Sequence, residues 1–162
     1  MNVVVLVLSD RCSRGEAEDT SGPTLSRWLS ERDCPGVSVH ILADERDRIE
    51  AQLRQWCDQG AFDVILTCGG TGVSARDVTP EATRAVIERE LPGFGEAMRA
   101  ASLRHSPHAI ISRAIAGLRG GTLIVNLPGS PRAAVENLAA VWAAVPHCVA
   151  KAQGDDRPCA GS

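Results

Sequence analysis

The chain contains no tyrosine, and aromatic residues make up only 3% of it. Proteins that hold single-stranded nucleic acid stack bases on rings, so that class is disfavoured. Lysine is nearly absent as well: Lys151 stands alone beside sixteen arginines in a basic total of 17. Against 20 acidic residues the formal net charge is −3, whereas a duplex-backbone binder would be basic. The six cysteines (Cys12, Cys34, Cys57, Cys68, Cys148 and Cys159) show neither CxxC nor zinc-finger spacing. They read as reduced thiols of a cytoplasmic protein. No apolar run reaches the ~20 residues of a membrane-spanning helix, and no charged leader precedes a hydrophobic segment. Neither a GxGxxG fingerprint nor a GK[ST] phosphate loop occurs.

What is present is a core. The 162 residues are 44% hydrophobic and 23% charged, a balance suited to one folded domain. Residues 3–8 (VVVLVL) form a continuous β-branched run, the mark of a strand covered on both faces. A polar loop then runs to Gly22-Pro23, where Pro23 opens a helix. Strands are expected over 37–42 and 62–67, with a helix through Ile49, Leu53 and Trp56 between them. Thr79-Pro80-Glu81 starts another helix, with Thr79 as its N-cap. Further helices cover 94–104, 131–143 and 145–152, and two strands meet at Gly120-Gly121. Alternating strands and helices imply a single α/β domain with a mostly parallel central sheet, spanning 1–153 and followed by a flexible tail over 154–162.

In such sheets ligands sit beyond the carboxyl ends of the strands, so three loops draw attention. Gly69-Gly70-Thr71-Gly72 leaves a buried strand, and small residues there let backbone amides approach an anion. A tight strand–helix turn would use the same residues. Asp77, in Arg76-Asp77-Val78-Thr79-Pro80-Glu81, suits either a metal or a helix dipole. Asp44, after the second strand, suits either a metal or a helix cap. Taken together, two carboxylates beside a glycine loop match a magnesium–phosphate site, since Mg²⁺ accepts one or two carboxylates and completes its octahedron with phosphates and water. Asn126-Leu127-Pro128-Gly129-Ser130 precedes a helix and offers a second anion cradle. His105 and His108 flank Ser106-Pro107 without a third ligand nearby, so they read as ordinary surface residues rather than a metal pair. His40 points to solvent or a partner. Amides around Cys68 could lower its pKa, but no base accompanies it.

The run Leu66-Thr67-Cys68-Gly69-Gly70-Thr71-Gly72 with Arg76-Asp77-Val78-Thr79-Pro80-Glu81 resembles the signature of the MogA/MoaB family of molybdenum cofactor biosynthesis proteins. So do Ser9-Asp10-Arg11, Asp19-Thr20-Ser21-Gly22-Pro23, Pro92-Gly93-Phe94, Ser112-Arg113-Ala114 and Asn126-Leu127-Pro128-Gly129-Ser130. The resemblance covers residues 2 to about 153. It implies a compact three-layer α/β/α fold and a cytoplasmic homotrimer that adenylylates molybdopterin with Mg-ATP, releasing pyrophosphate, and hands the product to a separate molybdate-insertion protein. By the same resemblance Asp44 and Asp77 are the catalytic, Mg²⁺-holding aspartates. Ser102, Ser112 and Asn126 line the pterin pocket, Ser9 and Asp10 border it, and Thr67, Gly69, Gly70, Thr71, Gly72, Gly129 and Ser130 contact substrate. A catalytically silent, pterin-binding scaffold of the MoaB type is the alternative, and a nucleotide enzyme of another Rossmann-like class is the more distant one.

Overall fold

The computed structural model describes residues 1–157. Its elements are β1 (Val3–Leu8), α1 (Asp10–Ser13), α2 (Ser21–Ser30), β2 (Ser38–Leu42), α3 (Arg46–Asp58), β3 (Val64–Cys68), α4 (Thr79–Arg84), β4 (Arg89–Glu90), α5 (Pro92–Leu103), β5 (Ala116–Arg119), β6 (Thr122–Leu127), α6 (Pro131–Val141) and α7 (Val145–Ala152). The strands form one sheet in the order β2-β1-β3-β6-β5-β4. Its first four are parallel, and β5 and β4 extend it antiparallel.

The apolar run of β1 has a direct explanation. Successive side chains point to opposite faces of a strand. Val3, Val5 and Val7 face the core layer shared with α2, α5, α6 and α7. Val4, Leu6 and Leu8 face the layer of α3 and α4, through Ile49, Leu53, Trp56, Ala82 and Val86. A strand with two buried faces has no polar position to spare, and all six residues are buried. The chain leaves β1 through α2 on one face to reach β2, then returns through α3 on the other face to β3. The direction of winding therefore reverses between β1 and β3, and the crevice beyond their carboxyl ends is the expected ligand site.

Several local expectations change. The loop after β1 contains a helical turn, α1, because the Ser9 hydroxyl accepts from the Cys12 amide at 3.2 Å. Helix α2 begins at Ser21, two residues before Pro23, since Asp19 Oδ1 accepts from the amides of Ser21 and Gly22 at 2.9 and 3.1 Å. Thr79 does not cap α4; its hydroxyl donates to the Gly69 carbonyl at 2.9 Å and anchors the glycine loop. The two-residue strand β4 and the 3₁₀ turn Pro107–Ile111 had no legible pattern. His40 is exposed as expected, with its ring edge-on to Trp56 at 5.1 Å. Residues 155–157, expected in the flexible tail, fold back: the Asp155 amide donates to the Ala150 carbonyl at 3.0 Å, and Lys151 Nζ donates to the carbonyls of Asp155 and Arg157. The rest of that expected tail, 158–162, lies outside the described residues.

Among the described residues one helical stretch, Pro131–Ala152, is long and apolar enough to cross a membrane, against the expectation of none. It is interrupted by the 3₁₀ turn Trp142–Ala144, and Ala134, Leu138, Val141, Val145 and Val149 spend its apolar face on the sheet.

Candidate active site

Three carboxylates converge where the winding reverses. The Asp10 amide donates to Asp44 Oδ2 at 3.0 Å, and the Asp44 amide donates back to Asp10 Oδ1 at 3.0 Å. This reciprocal pair ties the end of β1 to the end of β2. Arg76 then grips both Asp10 oxygens, at 3.0 and 2.9 Å. The guanidinium holds the Asp10 carboxyl below its usual range. Burial pushes the Asp44 carboxyl up, and the nearby Asp10 and Asp77 charges add to that rise. Neither Asp44 nor Asp77 caps a helix. Asp77 Oδ2 accepts from the Ser74 amide at 2.7 Å, inside its own loop.

The glycine loop fits between these acids because it lacks side chains. Gly69 and Gly70 have φ of 118° and 63°, conformations that L side chains avoid. A Cβ on Gly70 would lie 2.3 Å from the Thr79 hydroxyl oxygen and 3.1 Å from Asp44 Oδ1. One on Gly72 would lie 2.9 Å from Asp77 Oδ2. Each glycine thus stands directly against one of the two aspartates. Asp44 and Asp77 offer oxygen donors only, the type that Mg²⁺ prefers. Among the described residues no group of three or more His, Cys, Asp or Glu side chains is placed to hold a metal ion.

Two hollows flank the loop. The first, about 270 Å³, is lined by Thr71, Gly72, Ser102 and Ser112 together with Arg99, His105, His108, Ile111 and Asn137. The second, about 330 Å³, is lined by Ser9, Gly69, Gly70 and Gly129, with Arg11, Asp19 and Ser21. Asp10 and Arg76 line a third depression beside Glu45. Ser130 is exposed at the start of α6.

Two expected site residues, Asn126 of the pterin pocket and Thr67 as a substrate contact, line neither hollow. Asn126 and Thr67 are fully buried. The Asn126 amide donates to Thr67 Oγ1 at 2.9 Å and to Thr83 Oγ1 at 2.8 Å, bracketing β3, β6 and α4 from inside. Their polar groups are consumed by one another, so they support the loop from below. Cys68 is likewise buried, and burial pushes its thiol up to about 12; the expected lowering by loop amides does not occur, because the sulfur faces the Pro128 carbonyl instead.

Sequence reasoning passed over Arg99 and Asn137. Arg99 Nη1 donates to the Ala114 carbonyl at 2.9 Å and the Ser112 carbonyl at 3.4 Å. Asn137 Nδ2 donates to Ser102 Oγ at 2.7 Å. The visible signal was the i, i+3 spacing of Arg99 and Ser102, which puts both on one helix face; nothing in the sequence pairs that face with Asn137. His105 and His108 do line the first hollow, although among the described residues no third metal ligand joins them.

A mostly parallel sheet with a glycine turn and paired carboxylates at its switch point defines an α/β domain with a candidate ligand site at that edge. Comparison with known proteins narrows that class. Residues 4–147 match the model of the "probable molybdopterin binding domain" family. The chain is 48% identical over 151 residues to the molybdopterin adenylyltransferase of Helicobacter pylori, covering 92% of this chain and 86% of that protein. It is 39% identical over 168 residues to the enzyme of the same name from Escherichia coli, covering 95% and 86%. The crystal structure of the molybdopterin biosynthesis enzyme MoaB from Thermus thermophilus superposes with a TM-score of 0.87 at 43% identity, covering 97% of this chain and 98% of that one. The chain belongs to the MogA/MoaB family of molybdenum cofactor biosynthesis proteins.

Proposed function

We propose that the protein is a molybdopterin adenylyltransferase. The terminal phosphate of molybdopterin attacks the α-phosphorus of ATP. A new P–O bond forms, the bond from the α-phosphorus to the bridging oxygen breaks, and pyrophosphate leaves with that electron pair. The products are adenylyl-molybdopterin and pyrophosphate. No protein nucleophile is needed, so catalysis is alignment and charge neutralisation. One observation carries the reading: Asp44 and Asp77 stand against Gly70 and Gly72, and these two glycines line different hollows. Two substrates seated in the two hollows would meet at the carboxylates.

In this reading Asp44 and Asp77 hold Mg²⁺, which when bound offsets the negative charge of the triphosphate. The amides of the 69–72 loop hold phosphate oxygens. Ser102 and Ser112 donate to the pterin, and the apolar wall at Ile111 and Pro128 excludes water from it. Thr67 and Asn126 hold the loop from below. Ser9, Gly129 and Ser130 border the nucleotide side. The protein works in the cytoplasm as a homotrimer and passes its product to a separate molybdate-insertion protein. Self-association is supported by an apolar groove lined by Phe94, Ala97, Ala140, Val141 and Ala144.

The test is incubation of the purified protein with molybdopterin, ATP and Mg²⁺, followed by mass analysis. Adenylyl-molybdopterin and pyrophosphate in equal amounts are expected. Pterin binding without product would leave the silent scaffold as the answer. Light scattering at micromolar concentration should read three chain masses, and a single chain mass overturns the trimer.

A further inference from the structure

One guanidinium closes the loop that carries Asp77. Arg113 lies just before β5, some forty residues along the chain from that loop. Its Nε donates to the Gly72 carbonyl at 2.6 Å and its Nη2 to the Asp77 carbonyl at 2.5 Å. Its Nη1 donates to the Glu81 carboxylate, and its own amide donates to the Thr71 carbonyl at 2.9 Å. Both ends of segment 72–77 are therefore held by one planar fork, which a lysine could not reproduce. Within the segment the Asp77 amide donates to the Ser74 carbonyl at 2.9 Å, and Asp77 Oδ2 accepts from the Ser74 amide at 2.7 Å.

Arg113 is poorly placed to supply charge to a phosphate. Glu81 faces it, with a carboxyl that burial pushes up but the guanidinium pulls below its usual range. The cation is already matched, and three of its donors are committed to loop and helix acceptors. Its neighbour Ser112 lines the first hollow. The peptide joining Ser112 to Arg113 thus links the wall of that hollow to the base of the aspartate loop.

We infer that Arg113 is a positioning residue: by holding the carbonyls of Gly72 and Asp77 on one fork, it fixes the direction of the Asp77 carboxylate. This deepens the proposed reaction and rests on the magnesium reading of Asp77. Substrate and metal meet Asp77; Arg113 touches neither.

The experiment compares the wild-type chain, Arg113→Lys, Glu81→Ala and Asp77→Asn. Three quantities are read: Mn²⁺ binding by electron paramagnetic resonance, amide hydrogen exchange at Ser74 and Asp77, and the kinetics of adenylyl transfer. Arg113→Lys should weaken Mn²⁺ binding about tenfold, a usual loss when a group that orients a metal ligand is removed. Exchange at Ser74 and Asp77 should quicken about tenfold or more, kcat should fall, and the KM for molybdopterin should stay within about twofold. Glu81→Ala should move the same quantities in the same direction by less. Wild-type exchange and Mn²⁺ affinity in Arg113→Lys, with turnover reduced, would overturn the inference and make Arg113 a direct substrate contact. If Arg113→Lys does not fold, wild-type exchange in Glu81→Ala overturns it. Asp77→Asn separates the two readings. Retained Mn²⁺ binding there removes the magnesium assignment, and the exchange rates of the Arg113 variant still decide whether the clamp exists.

Discussion

The two edges of the sheet use aspartate in opposite ways. At the amino edge Asp63 accepts from the Asn2 amide at 2.6 Å on one oxygen and from Gln153 Nε2 at 2.7 Å on the other. Its backbone carbonyl accepts from the Leu123 amide at 2.9 Å. Asp63 thus joins the N-terminal residues and the C-cap of α7 through its carboxylate and β6 through its carbonyl, with no other acid drawn beside it by any of these contacts. At the carboxyl edge Asp10, Asp44 and Asp77 crowd round a glycine loop, and one exposed guanidinium, Arg76, answers the first of them. Burial and like charge push the Asp44 carboxyl up. The amino edge is arranged for stability. The carboxyl edge holds its acids together at a cost, the pattern by which functional sites differ from structural ones.

The glycines give the largest way to sharpen that contrast. Gly70→Ala places a methyl against Thr79 and Asp44 at a φ of 63° and should cost about 3 kcal/mol, with turnover lost. Gly120→Ala, at the β5–β6 turn, meets nothing within 4 Å at a φ of 54° and should cost only about 1 kcal/mol, with turnover kept. Denaturant melts of both variants check this. Asn126→Ala comes next. It strips two buried hydroxyls of their partner and should cost about 2–3 kcal/mol, with pterin binding reduced only as far as the folded fraction falls. Asp63→Asn should cost about 1 kcal/mol, the worth of one lost hydrogen bond, and leave transfer kinetics unchanged.

The smallest effect concerns pH. The raised Asp44 carboxyl favours the folded state when protonated. Its contribution is full below the ordinary carboxylate pKa and is lost as pH rises through the raised value. Asp10 does the reverse: Arg76 holds it down, so its contribution is present above the ordinary value and fades as pH falls through the lowered one. Without divalent cations, Asp44→Asn should therefore raise Tm at neutral pH, and the gain should vanish as pH falls through the carboxylate range. Calorimetry across that range measures it. A lower Tm for the variant at neutral pH would mean that the carboxylate stabilises this edge after all.

The parts of this site that were legible in the sequence are those written in consecutive residues. The β-branched run of β1, the glycines 69–72 and the order Arg76-Asp77-Val78-Thr79-Pro80-Glu81 carry their structure locally, through strand burial, positive φ and a proline-led helix start. Contacts that cross the fold were not legible. Thr79 has the residue type of an N-cap, yet its hydroxyl bonds to Gly69 because the loop folds over it. Asn126 resembles a ligand contact, yet β3 and α4 enclose it. Arg113 gave no sign of its role, since its three acceptors lie 32 to 41 residues away and meet only when α4 docks on the sheet. Strand β4, two residues long, has no periodicity to read.

The most direct test of the central claim measures adenylyl transfer and molybdopterin binding together on Asp44→Asn and Asp77→Asn. Both substitutions keep side-chain size and remove the charge that a divalent cation needs. Each variant should bind molybdopterin within about threefold of wild type, because the proposed pterin donors, Ser102 and Ser112, line the first hollow, which the two aspartates do not, while transfer falls by about a hundredfold or more. Transfer at wild-type rates in either variant, or transfer by the wild-type protein after complete removal of divalent cations, would contradict the account.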